Sequence, residues 1–315
     1  MTTIADVALL AGVSKATASR TFSRPELVSA DTAQRVHNAA EKLGFIVNNT
    51  ARLLAGGRSG ILALVVPTLD NSYFSPVIAG AQIRADESGF QLTVAVYPLE
   101  STTELAPLSR LGRQVDGLIV VAPRGTDDLI RTALGETPAV LVDREIDGIS
   151  SVVADTASAF GALIESLAAD GHRNVVYVGG PDGSWQDRQR TSAVQAAAQH
   201  TGVELNIVGP HPSTFAAGVQ ATPAVRAHTP TAVVPYATAL GLGIRYAYLS
   251  AGDQPPLVSS EQAIVEALEQ HNVPAIDVDG QELGNVAADM LIARLTAPDS
   301  RVGRRRLEVA FRKDA

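Results

Sequence analysis

The sequence has no cysteine and only three lysines (Lys15, Lys42 and Lys313) in 315 residues. Without cysteine there is no disulfide framework, no thiol nucleophile, no thiolate zinc site and no iron–sulfur cluster. No uninterrupted apolar run reaches the ~20 residues that a membrane-spanning helix needs. The opening stretch, MTTIADVALLAGVS, lacks the basic start and long apolar core of a secretory signal. A soluble, cytoplasmic chain is the expectation, with no membrane partner. Catalytic signatures are missing too: no Gly-x-Gly-x-x-Gly after a strand, no phosphate-binding P-loop, no Gly-x-Ser-x-Gly elbow and no His-Glu-x-x-His. The six histidines (His37, His172, His200, His211, His228 and His271) are scattered without metal-ligand spacing, so no metal and no cofactor are expected. The run Gly179-Gly180-Pro181-Asp182-Gly183 reads as a tight loop before an anion cradle. An enzyme is not expected, because no reactive constellation is visible.

What is present is a large apolar fraction, unevenly charged. Hydrophobic residues make up 46% and charged residues 18%, enough for a sizeable core and against disorder. The length suits two or three domains. The net charge of -8 hides an asymmetry: in residues 1–59 seven Lys/Arg face four Asp/Glu, giving +3 and leaving -11 for the remainder. A small basic segment on a large acidic one suits a polyanionic partner for the first alone.

The basic segment reads as helical. Thr3-Ile4-Ala5-Asp6 has the form of a capping box, followed by Val7, Ala8 and Ala11 at helical spacing. Gly12 closes that helix and Ser14 caps a second, from about Lys15 to Phe22. A third runs from Ser29 or Asp31 to about Leu43, with Ala33, Val36, Ala40 and Leu43 on its apolar face. Two short helices around a Gly-containing turn, backed by a third, make a helix-turn-helix pattern, for which an ordinary helical hairpin is the alternative. Lys15, Thr17, Ser19 and Arg20 supply hydrogen-bond donors suited to base edges and phosphates in a major groove.

From Gly60 onwards, apolar runs (Ile61–Val66, Leu92–Tyr97, Gly117–Val121, Ala139–Val142, Asn174–Val178 and Thr231–Val234) alternate with helix-length segments such as Ser75–Ser88, Thr156–Ala169, Asp187–His200 and Glu261–His271. Such alternation implies parallel sheets covered on both faces, and the span suits two lobes with a break near 150–155. The boundaries drawn are a helical domain over 1–46, a connector over 47–59 and a two-lobed α/β domain over 60–315. Within the connector, 48–55 makes two helical turns before Gly56-Gly57, a length marginal on its own and suited to ordering on binding.

These residues resemble the LacI/GalR family of transcriptional regulators. The resemblance rests on Thr3-Ile4-Ala5-Asp6-Val7-Ala8, Ala11-Gly12-Val13-Ser14, Ala16-Thr17-Ala18-Ser19-Arg20, Val28-Ser29-Ala30, Glu41-Lys42-Leu43-Gly44-Phe45 and Ala51-Arg52-Leu53-Leu54-Ala55-Gly56. It returns at Asn71-Ser72-Tyr73-Phe74, Val115-Asp116-Gly117-Leu118-Ile119 and Gly171-His172-Arg173-Asn174-Val175. It implies a homodimer whose paired helix-turn-helix units read half-sites of a pseudo-palindromic operator in double-stranded DNA. Lys15, Ala16 and Arg20 fall on positions similar to the family's base-reading residues, and Thr17, Ser19 and Asn48 on phosphate or structural contacts. Thr3, Ser14, Ala51 and Ala55 complete the expected DNA-facing set. The connector would be a hinge helix in the minor groove, with Leu54 as the apolar wedge that kinks the duplex. Val47 stands where many relatives have proline. The final residues, 311–315, carry no leucine heptads, so a dimer is expected rather than a coiled-coil tetramer.

The remainder resembles periplasmic sugar-binding proteins, with an effector between the lobes. Asp143 and Arg190 fall on polar effector-contact positions of that family. Tyr73 and Phe74 would form an apolar wall, Trp185 would close the rim, and Arg124 and Glu261 complete the expected set. An interlobe salt bridge is the alternative role for Asp143-Arg144. The resemblance then weakens. Ala237-Thr238 replaces a usual Asn-Asp pair, Ser259-Ser260-Glu261-Gln262 replaces a Gly-Phe/Tyr-Asp-Asp motif, and Val121 takes a polar pocket position. A sugar, polyol or phosphorylated metabolite is the expected effector, against a regulator that is effector-independent or answers to a protein. A solute-binding receptor would match only residues 60–315.

Overall fold

The computed structural model describes residues 2–23, 27–45, 58–267, 269, 273–297 and 301–313. The chain forms two compact units, Met1–Gly60 and Ile61–Ala315. In the first, α1 (Ile4–Ala11), α2 (Lys15–Ser23) and α3 (Ala30–Lys42) follow one another closely. Each start has a side-chain cap. The Thr3 hydroxyl accepts from the Asp6 amide while the Asp6 carboxylate accepts from the Thr3 amide, Ser14 Oγ accepts from the Thr17 amide at 3.0 Å, and Ser29 caps Thr32. Gly12 closes α1 in the left-handed region at φ 65°, a conformation that costs glycine little. Val7, Ala8, Ala11, Ala18, Val36, Ala39 and Ala40 form a shared core, sealed by Ile4, Val13, Phe22, Leu43 and Phe45. The expected hinge segment, including Asn48, Ala51, Leu54 and Ala55, lies outside the described residues.

The second unit begins β1 (Ile61–Val66), α4 (Phe74–Glu87), β2 (Gln91–Val96), α5 (Leu105–Gly112), β3 (Gly117–Val121), α6 (Asp127–Leu134), β4 (Ala139–Val142), β5 (Ser150–Ala154) and α7 (Thr156–Ala169). It continues with β6 (Asn174–Val178), α8 (Trp185–Thr201), β7 (Glu204–Val208), α9 (Phe215–Ala227), β8 (Ala232–Pro235) and α10 (Thr238–Ser250). The last elements are β9 (Leu257–Val258), β10 (Ser260–Glu261), α11 (Gln262–Ala267), β11 (Ala275–Asp277), α12 (Gly280–Thr296), β12 (Arg304–Leu307) and β13 (Ala310–Arg312).

Lobe 1 is a parallel six-stranded sheet in the order β12-β5-β4-β3-β1-β2. Lobe 2 carries a parallel four-stranded sheet, β7-β6-β8-β9, and a three-stranded one, β10-β11-β13. Both large sheets are covered on two faces. In β1, Leu62, Leu64 and Val66 pack towards α4 and α12, while Ala63 and Val65 join Leu108, Ile130 and Leu134 on the opposite side. In β6, Val175 and Tyr177 meet α7 and α8, and Val176 and Val178 meet α9 and α10. A strand with two dry faces has no polar alternation, hence the continuous apolar runs.

The chain leaves lobe 1 after β5, near Asp155, returns between β11 and α12, and crosses again between β12 and β13. Lobe 1 is therefore completed by residues far from its beginning: α12 contributes Leu283, Ala287, Ala288, Leu291 and Leu295 to the same core as β1. Glycines set how closely α12 meets α4. A β-carbon on Gly80 would lie 1.9 Å from the Gln281 carbonyl oxygen, and one on Gly284 2.0 Å from that of Val77. No helix of the described residues is long and apolar enough to cross a membrane.

Candidate functional site

In the helical unit, α2 buries Ala18 and Thr21 and exposes Lys15, Ala16, Ser19 and Arg20. Burial of one face by small residues seats the short helix against α1 and α3 and turns Lys15, Ala16, Ser19 and Arg20 to solvent. Thr17 is half-buried: its hydroxyl meets Ser14 Oγ at 2.8 Å, so both side chains brace the start of α2. Thr3 is exposed and tied to Asp6 through the capping box of α1.

In the two-lobed unit, a cavity between the lobes is lined by Tyr73, Phe74, Asp143, Arg190 and Glu261, which the structure brings together. Asp143 follows β4 in lobe 1 and is buried. Its Oδ2 accepts from the Tyr73 hydroxyl at 2.6 Å, and its Oδ1 accepts from the Ala154 amide at 3.0 Å and from Gln186 Nε2 at 2.7 Å. Gln186 belongs to α8 in lobe 2 and also donates to the Ala154 carbonyl, so it ties the lobes together at the cavity floor. Arg190, one turn along α8, donates from Nε to Thr156 Oγ1 at 2.9 Å and from Nη1 to the Tyr236 carbonyl at 2.8 Å. Its guanidinium is held between the Phe160 and Tyr236 rings, 4.7 Å from each centroid, where desolvation favours cation–π attraction.

Burial pushes Asp143 above its ordinary value, opposed by the hydrogen bonds from Tyr73, Ala154 and Gln186 and by the Arg190 charge. Burial likewise raises Glu261, against the Thr238 hydroxyl and Arg190, and drives the Tyr73 phenol well up beside the Asp143 carboxylate. Asp143 and Ala122 both sit on the cavity wall with positive φ, 55° and 45°, a strain that concentrates at binding sites. Among the described residues no group of His, Asp and Glu is placed to hold a metal ion.

Two expected residues lie elsewhere. Arg124 lines the outer cleft and the passage leading to it, not the inner cavity. Trp185, the first residue of α8, lines none of these spaces. Val121 points into the lobe 1 core, and the next residue, Ala122, reaches the cavity. Ala237 and Thr238 line it, as do Ser259 and Glu261. Arg144 is buried within lobe 1 and pairs with Asp127 at 2.6 Å, so the polar tie across the lobes runs through Asp143 and Gln186 instead. Sequence reasoning missed Asn71, Thr156, Gln186 and Tyr236. Thr156 and Gln186 follow the N-caps Asp155 and Ser184 by one or two residues, which marks a helix start but carries no sign that either side chain faces the cavity.

The model of "Bacterial regulatory proteins, lacI family" matches residues 3–48, and that of "Periplasmic binding proteins and sugar binding domain of LacI family" matches residues 59–312. The chain belongs to the LacI family. It is a DNA-binding transcriptional regulator with that family's sugar-binding type of domain, not an enzyme. Among LacI-family relatives, the maltose regulon regulatory protein MalI of Escherichia coli K12 is 28% identical, over 93% of this chain and 92% of its own length. PtxS of Pseudomonas plecoglossicida is 32% identical over 65% of this chain and 62% of its own. Among solved structures, the Lac repressor dimer bound to operator and the anti-inducer ONPF superposes with a TM-score of 0.81 at 23% identity, covering 99% of this chain and 98% of that one. The transcriptional regulator CelR in complex with cellobiose superposes at 0.71 and 23% identity, covering 100% and 99%. At these identities the structural likeness establishes the LacI-family fold: a helical head followed by two α/β lobes.

Proposed function

We propose that this regulator is a repressor that binds a pseudo-palindromic operator as a homodimer and responds to a small polyhydroxylated metabolite held between its lobes. The observation that carries the reading is the exposed start of α2, where Lys15, Ala16, Ser19 and Arg20 are solvent-accessible on a helix fixed by its buried face. Arg and Lys reach base edges and phosphates, and Ala16 suits contact with a thymine methyl. Thr3, Ser14, Thr17, Ser19 and Asn48 then position the head on the backbone, while Ala51, Leu54 and Ala55 act in the minor groove. A second copy suits the exposed apolar residues on both lobes: Ile83, Val94 and Val96 on lobe 1, and Phe215, Tyr246 and Leu249 on lobe 2. For the effector, Asp143 and Arg190 offer an acceptor and a donor on opposite walls, with Phe74 and Tyr236 beside them.

A specific observation favours a second reading, in which DNA binding is independent of any small molecule. Asp143 already accepts three hydrogen bonds from the protein, and two nitrogens of Arg190 are taken by Thr156 and Tyr236. The DNA upstream of the protein's own gene, titrated by fluorescence anisotropy with and without sugars and polyols, separates the two. Binding to a symmetric site at two chains per duplex, with affinity altered by one compound, supports the first reading. An affinity that no compound changes supports the second. Equal affinity for every promoter DNA and for random DNA would refute both.

A further inference from the structure

The space between the lobes does not end at Asp143 and Arg190. The inner cavity has a free volume of about 60 Å³. A narrow passage of about 20 Å³ continues from it, sharing Asn71, Phe74, Ala122 and Tyr236 with the inner cavity and Arg124 and Pro181 with the space beyond. That outer space is a vestibule of about 710 Å³ at the cleft mouth, walled by Glu100, Arg124 and Thr126 of lobe 1 and by Asp182, Gly183 and His211 of lobe 2. The two walls meet closely: a β-carbon on Gly183 would lie 2.5 Å from the Arg124 carbonyl oxygen.

We infer that this vestibule is a second subsite, taking a neutral, hydroxyl-bearing unit joined to the one that reaches Asp143 and Arg190, so that the effector is a two-unit glycoside rather than a single sugar or a sugar phosphate. The inference rests on the reading that the interlobe cleft holds an effector. Its polar groups favour a neutral ligand. Arg124 is already paired with Glu100, 2.9 Å from Nη1 to Oε1, and Asp182 adds a further carboxylate, so a phosphate there would meet two negative charges and one committed cation. Hydroxyls, in contrast, donate to Glu100 and Asp182 and accept from Arg124. His211 Nε2 is covered and without a hydrogen-bond partner, and a hydroxyl satisfies either imidazole tautomer once the ring or the lobes adjust. Pro181, Pro210 and Pro212 supply flat apolar surface for the C–H face of a ring.

The test is calorimetric titration of the full-length protein with cellobiose, maltose and trehalose, and with glucose and glucose 6-phosphate. At least one neutral disaccharide binds tenfold or more tightly than glucose. His211→Ala removes most of that advantage while changing glucose affinity less than twofold, and His211→Gln, which keeps a donor and an acceptor, restores part of it. Glucose binding as tightly as every disaccharide, or glucose 6-phosphate binding tightest, overturns the second subsite and leaves the effector reading standing. So does His211→Ala weakening glucose and disaccharide equally. No binding by any of the five compounds overturns the two-unit glycoside, and the effector reading is then decided by the titration of promoter DNA with sugars and polyols.

Discussion

Gln186 is the residue through which the two lobes hold one another at the cavity floor, and its removal has a calculable cost. Replacing it with leucine keeps the volume and deletes the donor that reaches Asp143 Oδ1 at 2.7 Å. A hydrogen bond to a charged group is worth about 1.5–3 kcal/mol and one to a neutral group about 0.5–1.5 kcal/mol. Gln186→Leu is therefore expected to destabilise the two-lobed unit by about 2 kcal/mol when Asp143 is ionised, and by about 1 kcal/mol in an Asp143→Asn background. The double-mutant cycle should return a coupling of about 1 kcal/mol, since the residues are in direct contact. The only tryptophan in the chain, Trp185, is the neighbour of Gln186. Its emission during urea unfolding reads the local transition, and circular dichroism reads the helices. An equal cost in both backgrounds would refute the charge-assisted tie between the lobes.

Protonation of the cleft gives a second expectation. Burial raises Asp143 and Glu261, so the closed lobes hold protons on them more readily than the unfolded chain does. Their contribution is greatest below the ordinary carboxylate range and is lost as pH climbs through the raised values, so stability from this source increases as pH falls from neutral. Glu261→Gln should flatten that dependence in urea midpoints measured across the acid-to-neutral range. Gly284→Val should cost about 1–3 kcal/mol by forcing α12 away from α4, a loss visible in the unfolding midpoint. Lys15→Ala and Arg20→Ala should narrow the gap between operator and random DNA by about 1–3 kcal/mol for a base contact, measured by competition binding, without lowering the melting temperature of the head. A uniform loss on every DNA would instead assign them to phosphates.

Much of this fold was legible because its signals are local. The capping box at Thr3, the glycine at 12 and the cap at Ser14 mark the head, and the two-faced burial of strands such as β1 writes itself as unbroken Ile, Leu and Val. The missed elements lack such marks. β5 opens with Ser150 and Ser151, buried serines in what reads as a break, and β12 is Arg304-Arg305-Arg306-Leu307 on a sheet edge, where charge is ordinary. The return of α12 into lobe 1 depends on backbone contact at Gly80 and Gly284, which no periodicity records. In the cavity, Asp143 and Arg190 were found by resemblance. Gln186 and Tyr236 were not, because their roles follow from how lobe 2 meets lobe 1 rather than from any pattern near them in sequence.

The late return of α12 also imposes an order on synthesis. The head has its own core and needs nothing beyond its third helix and Phe45, so it can fold as soon as it emerges. Lobe 1 cannot: its sheet begins at Ile61 and α4 covers part of one face early, but α12, which completes that cover, ends at Thr296. At ribosomal rates of about 5–20 residues per second, the apolar strands wait ~10–50 s for that cover. Throughout that interval the nascent chain carries a finished head followed by a sheet with one half-covered face. Chaperone occupancy of ribosome-bound chains should therefore persist until α12 emerges, and should be prolonged by substitutions in α12 more than by substitutions in β1.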